Sequence, residues 1–128
     1  MALRVVDLYA GAGGMSLGFQ QAGCLIEAAV EIDGWAAETY RANLGDHLFQ
    51  MSVADFLSSS EARISGLDVL IGGPPCQGFS ISSRSRVRKA FDERNDEVLT
   101  FLSAAKMFEP KYVVFENVPQ FQSFVDSA

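Results

Sequence analysis

No stretch of this 128-residue chain is apolar for anything near the ~20 residues that a membrane-spanning helix requires. Cysteine is scarce. Cys24 and Cys76 sit in unlike contexts, at no spacing that would hold a metal, and are expected as reduced thiols of a cytoplasmic protein. Positive charge is also short: ten Lys and Arg against sixteen Asp and Glu leave a formal charge of −6, which argues against a generally basic nucleic-acid binder. Met1-Ala2-Leu3-Arg4 runs straight into a strand-like segment, so no signal peptide is expected. Internal repeats, linkers and low-complexity segments are missing as well. What is present is 48% hydrophobic residues, enough for the core of one domain or part of a larger one.

The apolar runs alternate with helical patterns. Residues 4–9 read as a strand, and Ala10-Gly11-Ala12-Gly13-Gly14 as a tight glycine turn. A helix follows over 15–22, ended by Gly23. A second strand over 25–31 leads to Asp33, placed to cap a helix over 35–44 that Gly45 closes. A short strand over 47–51, a brief helix or turn over 53–60 and a fourth strand over 67–71 come next. Residues 77–92 form a long polar loop, residues 93–108 the longest helical pattern, residues 112–115 a fifth strand, and residues 120–128 the start of another helix. Continuous apolar strands alternating with helices predict an α/β fold, a parallel sheet with helices on both faces. Ligands of such sheets bind at the carboxyl ends of the strands.

The informative residues fall at those ends. Gly72-Gly73-Pro74-Pro75-Cys76 places a thiol where the fourth strand opens into a loop. The prolines stiffen the approach, and the glycines allow close backbone contact. Four of the ten Lys and Arg, namely Arg84, Arg86, Arg88 and Lys89, follow at once, either as a solvated loop or as phosphate contacts. Gly11, Gly13 and Gly14 make either a plain turn or part of a dinucleotide fingerprint, whose third glycine position is Ser16 here. Glu31, about 20 residues on, is placed to accept hydrogen bonds from ribose hydroxyls, which favours an adenosine-containing cofactor. Asp55 is either an acceptor for an adenine amino group or a helix N-cap, and Ile32 and Phe56 are candidates to sandwich the adenine ring. Glu116, ending the fifth strand, is expected to be costly to bury without partners and suited to proton donation.

In this order and spacing, Asp7-Leu8-Tyr9-Ala10-Gly11-Ala12-Gly13-Gly14, Glu31, Gly73-Pro74-Pro75-Cys76-Gln77-Gly78-Phe79-Ser80, Asp92-Glu93-Arg94-Asn95 and Glu116-Asn117-Val118 resemble the motifs of the DNA (cytosine-5) methyltransferases, bacterial type. The resemblance implies a Rossmann-like S-adenosylmethionine-dependent methyltransferase fold, truncated after the fifth strand. It implies that Cys76 is the nucleophile adding to cytosine C6, that Glu116 holds the exocyclic amine and N3, that Asn117 orients the loop around Cys76, and that Pro75 contacts the base. For S-adenosylmethionine it implies Tyr9, Gly11, Ala12, Gly13, Gly14 and Gly73, with Pro75, around the methionine and adenosine portions, Glu31 at the ribose, and Ile32, Asp55 and Phe56 at the adenine. Ser80, Arg84, Arg86, Arg88 and Lys89 would contact double-stranded DNA, and no metal is implied.

Members of that family continue past Glu-Asn-Val with further strands, a target-recognition domain and a carboxyl-terminal motif. Residues 1–128 are therefore expected to be the amino-terminal part of a catalytic domain, with a second chain as a conceivable source of the remainder and an apolar sheet edge left open. Two other readings stay open: an S-adenosylmethionine-binding module without catalysis, and an RNA cytosine-5 methyltransferase.

Overall fold

The computed structural model describes residues 1–75 and 96–117. Five strands form one sheet: β1 (Arg4–Leu8), β2 (Leu25–Val30), β3 (Leu48–Phe49), β4 (Val69–Gly72) and β5 (Tyr112–Phe115). Their order is β3-β2-β1-β4-β5, and every pairing is parallel. The chain moves outward from β1 in one direction through β2 and β3. It then returns to the other side of β1 for β4 and β5. The switch point expected to host a ligand therefore lies between β1 and β4.

The helices are α1 (Gly14–Gln21), α2 (Gly34–Leu44), α3 (Val53–Leu57) and α4 (Asp96–Phe108), with a 3-10 turn at Ser60–Ala62. Successive side chains of a strand point to opposite faces, and β1 shows this directly. Val5 packs with Ile26, Val69 and Ile71 beneath Met15 and Phe19 of α1. Val6 and Leu8 point the other way, into a cluster with Val53 and Phe56 of α3 and Phe101, Ala104 and Phe108 of α4. Ala37 and Tyr40 of α2 close over Ala29 and Leu48 on the α1 side. Each large apolar side chain so buried contributes roughly 1.5–3 kcal/mol. The sheet is thus covered on both faces, as its uninterrupted apolar strands require.

Several boundaries follow from local chemistry. The Asp33 carboxylate accepts from Ala36 N at 2.9 Å and starts α2, and Gly45 at φ 115° ends it. Asp55 does not cap α3. Ser52 does, its hydroxyl accepting from Asp55 N at 3.0 Å, which leaves Asp55 exposed in the first turn. β3 is shorter than its expected span, since only Leu48 and Phe49 find partners on β2. β4 begins two residues later than expected, and Asp68 just before it ties the entering chain to both neighbours: its carboxylate accepts from Arg4 N at 2.8 Å and pairs with Lys111 Nζ at 3.1 Å. The loop expected over 77–92, the first residues of the helix expected over 93–108 and the helix start expected over 120–128 lie outside the described residues. No described helix is long and apolar enough to cross a membrane, and the described residues contain no cluster able to hold a metal.

Candidate active site

The site is built from the turns that leave β1, β2, β4 and β5. After β1 the chain turns sharply. Tyr9 adopts φ 58°, a conformation few side chains tolerate. Its ring crosses toward α4, where the hydroxyl donates to the Glu97 carbonyl at 3.0 Å. Gly13 follows at φ 103°, with Tyr40 and Leu44 packed against its α-carbon. By contrast, nothing lies within 4 Å of where a side chain would stand at Gly11 or Gly14, so the turn presents bare backbone to open space.

Glu31 holds that turn in place. One carboxylate oxygen accepts from Gly11 N at 2.8 Å, the other from Asp33 N at 2.9 Å. The sequence marks Glu31 as a ligand residue, but it does not reveal this bridging of the β1 and β2 exits. Each oxygen keeps an acceptor position for a further donor. Ile32, beside it, is 66% exposed, an apolar surface facing solvent. Phe56 is placed differently: it is fully buried in the core, 5.4 Å from the Phe49 ring, and supports this region from behind.

Across the switch point, Glu116 N donates to the Gly72 carbonyl at 3.0 Å. The Glu116 carboxylate leans over Gly73, with Oε2 2.7 Å from the position of a Cβ there, a close approach that the bare glycine allows. That carboxylate is exposed, so the burial penalty expected from its strand-end position does not arise. Pro74 is buried, Pro75 exposed and Asn117 half-buried. The structure thus brings Gly73 and Glu116 together at the mouth of β4, one residue pair short of Cys76. Cys76, Ser80, Arg84, Arg86, Arg88 and Lys89 lie outside the described residues.

Under the glycine turn sits a carboxylate that the sequence did not single out. Asp7 is 1% exposed and accepts from Ser16 Oγ at 2.6 Å. Burial pushes its carboxyl up to about 6, against the opposing hydrogen bonds from Ser16. The unfolded carboxyl ionises near 3.8, so between that pH and about 6 the folded state binds the extra proton. Its contribution to stability therefore falls as pH rises through that window and is level above it, a total of about 3 kcal/mol. Asp68, held low by Arg4 and Lys111, acts in a different window, its contribution being lost as pH falls through the acid range below 3.8. Asp7→Asn is expected to flatten the decline between pH 4 and 6 when melting temperature is followed against pH. A decline of wild-type steepness in the variant would remove Asp7 as its source.

The sequence profile of the C-5 cytosine-specific DNA methylases matches residues 3–127. The chain belongs to this family. Among its relatives, the chain is 41% identical over 124 residues to the type II methyltransferase M1.HphI of Haemophilus parahaemolyticus, covering 92% of the chain and 33% of that protein. It is 37% identical over 119 residues to M.HgiGI of Herpetosiphon aurantiacus, covering 91% of the chain and 90% of that protein. In structure, the chain superposes on a prophage-encoded protein of Escherichia coli assigned as a DNA modification methyltransferase, with a TM-score of 0.76 and 31% identity, over 98% of this chain and 36% of that one. The chain therefore spans about a third of the length of M1.HphI and of that Escherichia coli protein.

Proposed function

We propose that this chain carries the cofactor site and catalytic loop of an enzyme that methylates C5 of cytosine in DNA through a covalent cysteine adduct. The observation that carries this reading is that β1 and β4, paired in parallel with Leu8 beside Gly72, open at the same sheet edge into a glycine turn pinned by Glu31 and into the Gly73–Glu116 contact three residues before Cys76.

The residues present fit S-adenosylmethionine. Open space over Gly11 and Gly14 leaves room beside bare backbone, Glu31 has acceptor capacity for ribose hydroxyls, exposed Ile32 offers an apolar face to an adenine, and Asp55 is exposed. When bound, S-adenosylmethionine supplies an electrophilic methyl group. The protein's task is to make C5 nucleophilic. The Cys76 thiolate forms a bond to C6, which pushes electron density to C5. Glu116, carrying a proton when it engages the base, accepts from the exocyclic amine and gives its proton to N3 as the sulfur adds, which neutralises the negative charge developing there. After C5 gains the methyl group it loses its proton, and elimination breaks the sulfur–C6 bond, restoring the thiolate and the aromatic ring. Pro75 and Asn117 shape the approach of the base, which must leave the duplex to be reached. Ser80, Arg84, Arg86, Arg88 and Lys89 would hold the phosphates.

Residues 1–128 are read as the amino-terminal part of the catalytic domain. β5 borders the sheet among the described residues, with Tyr112, Val113 and Val114 62%, 48% and 39% exposed. An apolar edge of this kind supports pairing with further strands, on the same polypeptide or on a second chain.

Glu31→Ala is expected to weaken S-adenosylmethionine binding by ~1–3 kcal/mol, the range for a hydrogen-bonded charged partner. An unchanged calorimetric affinity would take Glu31 out of the ribose site. The reading as a whole is tested by incubating the protein with S-adenosylmethionine and duplex DNA containing 5-fluorocytosine, whose fluorine cannot leave as the proton does. A denaturation-stable adduct at Cys76 is the expected result. Cofactor binding without an adduct, also when the remainder of the catalytic domain is supplied, would leave a binding module only, and an adduct with RNA but not DNA would change the substrate.

A further inference from the structure

On the α1–α2 side of the sheet, four polar side chains form an unbroken line. Ser16 Oγ donates to Asp7 Oδ2 at 2.6 Å, the Tyr40 hydroxyl donates to Ser16 Oγ at 2.9 Å, and the Tyr40 oxygen lies 2.7 Å from His47 Nε2. Asp7, Ser16 and Tyr40 are at most 1% exposed, and His47 is half-buried. The methyl-transfer chemistry uses none of them. A buried ionisable pair or triad is often no more stabilising than apolar residues of the same shape, so stability alone does not account for the line.

Counting protons fixes its polarity. With Asp7 ionised, Ser16 spends its single hydroxyl proton on the carboxylate and must accept from Tyr40. Tyr40 spends its own on Ser16, so its oxygen must accept from His47 Nε2–H. Every donor points toward Asp7. The four residues come from β1, α1, α2 and the segment entering β3, which together frame the glycine turn. Gly13, at the N-cap of α1, has no side chain to cap the helix. Asp7 instead ties the first turn to the sheet through the hydroxyl of Ser16, the third residue of α1. Glu31 braces the turn from the side at Gly11, while the Asp7–Ser16 bond closes it from below.

We propose that Asp7, Ser16 and Tyr40 are positioning residues for S-adenosylmethionine, fixing the start of α1 and hence the Gly13–Gly14 backbone, with His47 as the outer, proton-bearing end of the line. This rests on the cofactor site argued above. The charged or titratable groups that bear on the line are Glu31 near Asp7, and Asp46 beside His47, with Arg41 anchored on the neighbouring Leu48 carbonyl. Protonation of Asp7 removes the acceptor that orients the line, so affinity is expected to drop on acidification through the range where Asp7 takes up its proton.

His47 is the chain's single histidine, which makes its imidazole a one-site reporter by nitrogen NMR. Ser16→Ala, at mid-line, is expected to shift the His47 titration midpoint and to weaken S-adenosylmethionine binding about tenfold at pH 7.5, the size of one buried hydrogen bond to a charge. Ser16→Thr, which keeps the hydroxyl, is expected to restore both, separating loss of the line from loss of the fold. A shifted His47 with unchanged affinity in Ser16→Ala would overturn the positioning role, and an unmoved His47 would overturn the line itself. Wild-type protein that binds no S-adenosylmethionine would overturn the cofactor reading, and this proposal with it.

Discussion

Cys76→Ser is expected to abolish methyl transfer while leaving affinity for S-adenosylmethionine within about twofold. The reason is chemical. A serine hydroxyl is almost wholly protonated at neutral pH, whereas a thiol is ionised to a useful extent and is intrinsically far more nucleophilic. The oxygen analogue would have to add to an aromatic ring as a neutral alcohol. A loss of at least ~10³-fold is expected from removal of a covalent nucleophile. Affinity should survive because the turn at 10–14 and Glu31, argued to hold the cofactor, follow β1 and β2, and Cys76 lies beyond β4. The two measurements are steady-state methyl incorporation into duplex DNA and calorimetric titration of S-adenosylmethionine. Retained turnover in the serine variant would refute the nucleophile assignment. Lost turnover together with lost cofactor affinity would show that Cys76 shapes the cofactor pocket.

Gly13→Ala is expected to destabilise the fold by about 3 kcal/mol. Two costs combine. The backbone at φ 103° lies where an L side chain is strained, and the added methyl would sit 2.3 Å from Leu44 Cδ1 and 2.8 Å from Tyr40 Cδ2. Leu44 is half-buried and has room to yield. Tyr40 is fully buried, and its hydroxyl is committed to Ser16 and His47. The methyl therefore pushes on a ring that cannot move without breaking hydrogen bonds. Urea denaturation with an unchanged slope and a lower midpoint is the expected signature, accompanied by weaker cofactor binding. A midpoint equal to wild type would mean that the turn can relax around an added carbon.

Local chemistry made much of this fold legible in advance. Asp33 and Gly45 bracket α2 because capping depends on residues adjacent in sequence, and the strands could be read from their apolar runs. Relationships across elements could not be read this way. Asp55 looked able to cap α3 because apolar residues follow it, yet Ser52 holds the geometry for the bond. Phe56 has the chemistry to stack on an adenine, but its place opposite Phe49 is set by how α3 lies on the sheet. Asp7, Ser16, Tyr40 and His47 share no periodicity. They meet because β1, α1 and α2 converge, and the only sequence signal was a charged residue within a strand otherwise built for burial. Glu31 was recognisable as an acid at the end of β2, but its hold on Gly11 depends on the turn coming back to meet it.

The two flanks of β1 are recruited over very different stretches of chain. Arg4 pairs with Leu25, whereas Val5 pairs with Val69, so the second closure spans about three times as many residues. The longer closure costs about 1 kcal/mol more in chain entropy, and contacts of large sequence separation form late when folding is limited by such closures. The glycine turn and Glu31 then belong to a contiguous β1–α1–β2 unit that assembles first, and the Gly73–Glu116 half is added to it. Pulse-labelled hydrogen exchange during refolding is expected to protect the amides of β2 before those of β4 and β5, and simultaneous protection would count against this order. A chain halted early in synthesis would already hold the glycine turn, before the strand that leads to the thiol has been made.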